Sequence, residues 1–149
     1  MKYKCLLTGV ILLICLNACK KDSKNPAPSA TIVAKWFMAK QSSGLYYNGS
    51  QISSFVDTTY TPVDFVEYHN DGTGYFSKHS SNGPSLAEFT YTLKGTVLTR
   101  FDGPLNSGVP ETITTLTANS LSIHVSYTIA DPNNTNQSDT EVDDLTYKR

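Results

Sequence analysis

The stretch from residue 31 to 149 predicts an all-β fold, an antiparallel up-and-down β-barrel of about eight strands. Three observations carry that prediction. Leu121-Ser-Ile123-His-Val125-Ser-Tyr127-Thr-Ile129 is apolar or aromatic at every odd position and polar at every even one. A strand sends alternate side chains to opposite faces, so this segment has one dry face and one wet face. Phe89, Tyr91 and Leu93 repeat the pattern against Glu88, Thr90, Thr92 and Lys94. Turn residues then separate such runs at short intervals, which is the mark of a meander of hairpins.

Taken in order, the first strand covers about 31–41 and opens on Lys35-Trp36-Phe37. Short strands over about 44–48 and 53–60 follow, rich in Tyr, Phe, Val and Thr. Asn70-Asp71-Gly72 divides a strand at 63–69 from one at 73–78, and Asn, Asp and Gly tolerate the positive φ of a tight hairpin. Lys94-Gly95 divides 87–93 from 96–101 in the same way. Pro104 and Pro110 bracket a loop, where a missing N–H does no harm. Strands at 111–116 and 120–129 flank Ala118-Asn119, and 142–148 closes the chain. Ser85-Leu86-Ala87-Glu88 is read as a short helical turn. A β-sandwich is the alternative architecture, but closure into a barrel also removes the exposed edges.

The N-terminus has another character. Lys2 and Lys4 precede an apolar run from Leu6 to Leu16, and Leu16-Asn17-Ala18-Cys19 ends it. The run is shorter than the roughly 20 residues that span a bilayer. It resembles a bacterial lipoprotein signal peptide (residues 1–18), in which Cys19 takes the lipid and becomes the mature N-terminus. Three acyl chains would anchor the protein far more firmly than one. Residues 19–30 then form a lipidated cysteine and flexible tether, KKDSKNPAPS being polar, proline-bearing and without an apolar anchor. Residues 31–149 are the barrel domain. Lys20, directly after the cysteine, resembles the pattern that sends a Gram-negative lipoprotein on to the outer membrane. With Cys5 and Cys15 in the leader, no disulfide is expected, so the core alone must stabilise the domain.

Composition excludes several function classes. Without Lys2 and Lys4 the 12 basic residues fall to 10 against 13 acidic ones, a net charge of about −3. No basic cluster exists to neutralise phosphates, which argues against nucleic-acid binding. No Gly-x-Ser-x-Gly elbow occurs, and carboxylate pairs among Asp57, Asp64, Glu67 and Glu88 are expected by chance on a small surface, so an enzyme is disfavoured. No cofactor motif is present. Glu67, His69 and Asp71 share one strand face and, with His79, suggest a metal site. The plainer reading makes them outward polar residues and a turn residue. His124 alternates with Ser122 and Ser126 and should face water. Asp57-Thr58-Thr59 resembles a short bacterial O-glycosylation acceptor at Thr58.

Several ordered marks resemble the lipocalin-like domain of small Gram-negative bacterial lipoproteins. They are the opening Trp36, Tyr68-His-Asn-Asp71-Gly72-Thr73, Tyr91-Thr-Leu93-Lys-Gly95-Thr-Val-Leu98, Ile113-Thr-Thr-Leu116-Thr-Ala-Asn-Ser-Leu121 and the terminal Tyr147-Lys148-Arg149. Val-Ala-Lys precedes the tryptophan where Gly-x-Trp is usual, and Phe89 or Tyr91 stands where a second tryptophan often sits. The resemblance implies an eight-stranded barrel, no catalytic residues, and an interior that can hold a small apolar or amphipathic ligand. Trp36, Tyr68, Phe89, Tyr91 and Tyr127 are the expected pocket wall, since aromatics combine large apolar area with a polar tip. The competing expectation is an envelope interaction or structural protein with a filled barrel. It would bind a protein or glycan through the loops Gly44–Ser54, Ser77–Leu86, Gly103–Pro110 and Asp131–Asp139. Interior volume separates the two, about 300 Å³ or more favouring a ligand.

Overall fold

The computed structural model describes residues 30–102, 108–130 and 138–149. Cys19 and the tether lie outside the described residues, as do most of the two loops at Gly103–Pro110 and Asp131–Asp139. Nine strands are present: β1 (Ala34–Tyr47), β2 (Ser50–Asp57), β3 (Phe65–Tyr68), β4 (Thr73–Lys78), β5 (Ser85–Lys94), β6 (Val97–Phe101), β7 (Val109–Leu116), β8 (Ser120–Ala130) and β9 (Ser138–Lys148). Each of β3 to β8 pairs antiparallel with the next strand in sequence. β9 then pairs with β1 over Phe37–Tyr46, and β1 with β3 over Ala34–Phe37. The eight strands β1 and β3–β9 therefore close on themselves as an antiparallel barrel.

The ninth strand, β2, stands outside that ring. It pairs with the second half of β1, from Gln41 to Tyr47, above the short β3. One long strand thus replaces the two expected at 31–41 and 44–48, and the expected loop Gly44–Ser54 is a hairpin. Its turn is Asn48-Gly49, both with positive φ (48° and 76°), a geometry that asparagine and glycine tolerate best. β1 pairs with three partners because it bends: register shifts fall between Met38 and Lys40 and between Leu45 and Tyr46. Ser85–Glu88, read as a helical turn, opens β5 instead, where its pairing to Ser77 and Lys78 overrides a weak local preference.

The barrel has a packed end and an open end. At the packed end Trp36, Leu98, Leu121 and Ile123 are shielded from solvent, with Ile32, Ile113 and Tyr147 beside them. The chain enters here. Ile32 tucks under the barrel and its carbonyl accepts the Trp36 Nε1–H at 2.7 Å. Arg149 lays its guanidinium over the Trp36 ring, 4.5 Å from the centroid, and donates to the carbonyls of Thr31 and Val33. Residues 31–33 and Arg149 thus seal this end together. Gly74 belongs to the same layer: a Cβ there would meet the Phe89 ring and the Glu67 carbonyl, so only glycine lets Phe89 cross over β4.

Along β8, Leu121, Ile123 and Val125 are buried, and Tyr127 and Ile129 are half-buried towards the open end. His124 lies on the outer face, where its Nδ1 is 2.9 Å from Asp144. Both placements match the alternation read from the sequence.

Candidate functional site

Strand parity places charged side chains inside the barrel. On β6, Leu98 points into the core and Arg100, two residues on, points the same way. On β7 the same relation holds for Ile113 and Glu111, and on β9 for Tyr147, Leu145 and Asp143. These groups sit above the packed layer and form the floor and wall of a cavity that opens at the far end.

The cavity has two lobes. One, of about 250 Å³, is lined by Met38, Gln41, Asp64, Phe76, Lys78 and Tyr147, among others. The other, of about 300 Å³, is lined by Val109, Glu111, Val125 and Tyr127. Arg100, Asp102, Asp143 and Leu145 line both. Apolar walls (Met38, Phe76, Val125, Leu145) therefore face a strongly polar floor.

Arg100 and Glu111 form the centre of that floor. Arg100 Nε and Nη2 donate to Glu111 Oε1 at 2.8 and 2.5 Å. Both bonds converge on one oxygen, and the second, Oε2, is buried with no hydrogen-bond partner. Burial pushes the Glu111 carboxyl above its ordinary range, and the neighbouring guanidinium opposes this without cancelling it. Asp102 adds to the upward push. The Tyr68 hydroxyl is a second buried polar atom without a partner near this floor.

The wall beside them is ordered by Asp143. Its Oδ1 accepts from Ser43 Oγ and, at 3.5 Å, from Gln41 Nε2, while Tyr127 donates to Oδ2 at 3.4 Å. Gln41 in turn accepts from Tyr60 at 3.2 Å. Burial pushes the Tyr60 hydroxyl up to about 12, helped by Asp57, so it remains a donor at neutral pH.

Asp64 fastens the rim. It is 1% exposed, yet it receives four donors: the backbone N–H groups of Thr61 and His79 (2.7 Å each), Thr61 Oγ1 (2.9 Å) and His79 Nδ1 (2.8 Å). Burial alone would raise its pKa, but these donors outweigh it and hold the carboxyl well below the usual range. A depressed carboxylate stabilises the fold above its unfolded value, and that contribution is lost as the pH falls through the folded one. Asp64→Asn should cost about 2 kcal/mol at neutral pH. It should also flatten the loss of stability below about pH 4, in thermal melts taken across the acid range.

Of the five expected wall residues, only Tyr127 lines the cavity. Trp36 seals the opposite end. Tyr68, Phe89 and Tyr91 form an edge-to-face cluster below the floor, with centroids 5.1 to 6.3 Å apart. They are packing residues. The groups that line the cavity beside Tyr127 include Arg100, Glu111, Asp102 and Asp143, which the sequence reading did not single out.

The suggested metal cluster does not assemble. Glu67 and His69 are neighbours at 3.6 Å on the outer face, and Asp71 accepts from the Thr73 N–H and hydroxyl in the β3–β4 turn. His79 is at the other end of β4, on Asp64. Among the described residues no three metal-binding side chains converge. Thr58 is exposed just after β2, while Asp57 accepts from the N–H and hydroxyl of Thr59.

Comparison with family models, curated proteins and solved structures finds no match for this chain.

Proposed function

We propose that this protein is a membrane-anchored lipoprotein whose lipocalin-like barrel binds a small amphipathic ligand. The observation that carries the reading is the cavity itself. A barrel meant only as a scaffold fills its interior with apolar side chains, as this one does at its packed end. At the other end it keeps two lobes of about 250 and 300 Å³, at the lower bound for small-molecule sites, with apolar walls and polar groups on the floor. Of the expected apolar or amphipathic ligands, the amphipathic kind is favoured, because Arg100, Glu111, Asp102 and Asp143 line the lobes beside the apolar walls.

The anchoring fits this use. Residues 30–33 join the barrel at its sealed end, so a lipid on Cys19, in the outer membrane of a Gram-negative cell, would leave the mouth facing away from the attachment point. The leader resemblance supports that localisation.

A second reading has one observation in its favour. β2 pairs on one side only, and Ile52, Phe55 and Val56 on it are more than half exposed (57%, 58% and 57%). From Ser50 to Val56 it carries no charge, whereas isolated proteins usually protect such an edge. A protein or glycan partner could use it.

Native mass spectrometry of the protein released gently from its own host tests both readings. A retained small lipid-like mass is the expected result. A bare chain mass overturns the ligand reading, and a retained protein or glycan mass instead favours the free edge.

A further inference from the structure

We infer that the polar end of the ligand is a protonated amine, held by Glu111, Asp102 and Asp143 above the Arg100 floor. This rests on the ligand-binding reading and narrows it to a chemical class. Two independent observations carry it.

The first is charge. The side chains lining the two lobes include two cations, Lys78 and Arg100, and four carboxylates, Asp64, Asp102, Glu111 and Asp143. Asp64 is already committed to His79 and two backbone N–H groups. Arg100 is committed to Glu111. Asp102 and Asp143 remain on the second lobe facing the buried pair, and the donors that reach Asp143 from Ser43, Gln41 and Tyr127 are neutral. The lobe is therefore net negative, and a cleft lined by one sign of charge draws cations. An anionic head group would meet three carboxylates there. A neutral hydroxyl would leave that excess unanswered.

The second is the orphaned oxygen. Glu111 is 4% exposed and lines the lobe, and its Oε2 is a buried acceptor without a partner. A buried carboxylate oxygen left unpaired costs free energy, so the site is built to receive a donor. An ammonium has three N–H donors and no acceptor. It can give one to Oε2 and the others to Asp102 and Asp143, while its alkyl part runs along Val109, Val125 and Leu145. A water could supply the single hydrogen bond to Oε2, but it would bring no positive charge to the half-buried Asp143 beside it.

The test uses the full chain in lipid nanodiscs, with empty nanodiscs as the reference. Isothermal titration calorimetry at pH 7 compares octylammonium, octanol and octanoate, which share one tail and differ in head group. Octylammonium should bind at least tenfold tighter than octanol, and octanoate weakest. In Asp143→Asn and Asp102→Asn the ratio of octylammonium to octanol affinity should fall threefold or more, a change that a general loss of packing would not produce. Octanol or octanoate binding as tightly as octylammonium overturns the amine inference and leaves the amphipathic-ligand reading standing. An unchanged ratio in both variants overturns it as well. Failure of all three probes to bind overturns the ligand reading and the inference with it.

Discussion

Ile123→Asp abolishes cooperative folding, whereas Ser122→Asp one residue earlier leaves the melting curve within about 0.5 kcal/mol of the parent. Ile123 is 1% exposed and pairs with Ile113 on β7 and Leu145 on β9, at the centre of the packed layer. An aspartate there loses the apolar contacts and carries a carboxyl into a site without a donor. Such a change costs about 4 kcal/mol or more, against a total stability of about 5–15 kcal/mol for a domain of this kind. Ser122 points outward beside Thr115 and Thr146, where water solvates the new charge. Circular dichroism melts of the two variants decide the matter. Equal tolerance would mean that β8 presents its other face to the core, and the barrel as described would not stand.

That strand was legible because its alternation is unbroken over nine residues, so one register buries every apolar side chain and the other buries none. The β3–β4 and β5–β6 hairpins were legible for a related reason: Gly72 and Gly95 take positive φ (84° and 62°) where the sequence signals a turn. β1 was not. Its apolar rhythm stops at Lys40, and the expected strands break between 41 and 44 because Gln41 and Ser43 point inward to Asp143 and so put polar residues where apolar ones would mark a buried face. Asn48-Gly49 lies within the stretch expected as the loop Gly44–Ser54, and its positive-φ pair makes the tight hairpin between β1 and β2. The cavity left no apolar signature because charged side chains line it. Charged residues on a one-faced strand are assigned to water, and Arg100, Glu111 and Asp143 break that rule while keeping perfect parity with Leu98, Ile113 and Leu145. The rule failed where the interior is polar, and that is the candidate site. The aromatic residues expected in the pocket went the other way: Tyr68 and Phe89 pack so well against each other and against Tyr91 that they belong to the layer beneath it.

The Arg100–Glu111 pair gives the sharpest distinction between a group kept for stability and one kept for binding. Arg100→Met leaves Glu111 buried without a cation and should cost about 3–5 kcal/mol, visible as a large drop in melting temperature. Burial already holds the Glu111 carboxyl high, so the variant should bind a proton there more readily still. In an acid group a raised folded value means that folding is favoured as the pH falls. The penalty in Arg100→Met should therefore shrink on moving from pH 7 towards pH 5. The double variant Arg100→Met, Glu111→Leu removes both charges into a layer that already contains Leu98, Ile113 and Leu145. Apolar replacement of a buried pair is commonly neutral or stabilising, so the double variant should recover most of the parent stability. It should also weaken octylammonium binding, because the Glu111 oxygen is gone while Asp102 and Asp143 remain. Recovery of stability together with weakened binding would mean that the pair sits at the bottom of the cavity for the ligand's sake. A double variant as unstable as the single one would instead make the pair a structural necessity of the barrel.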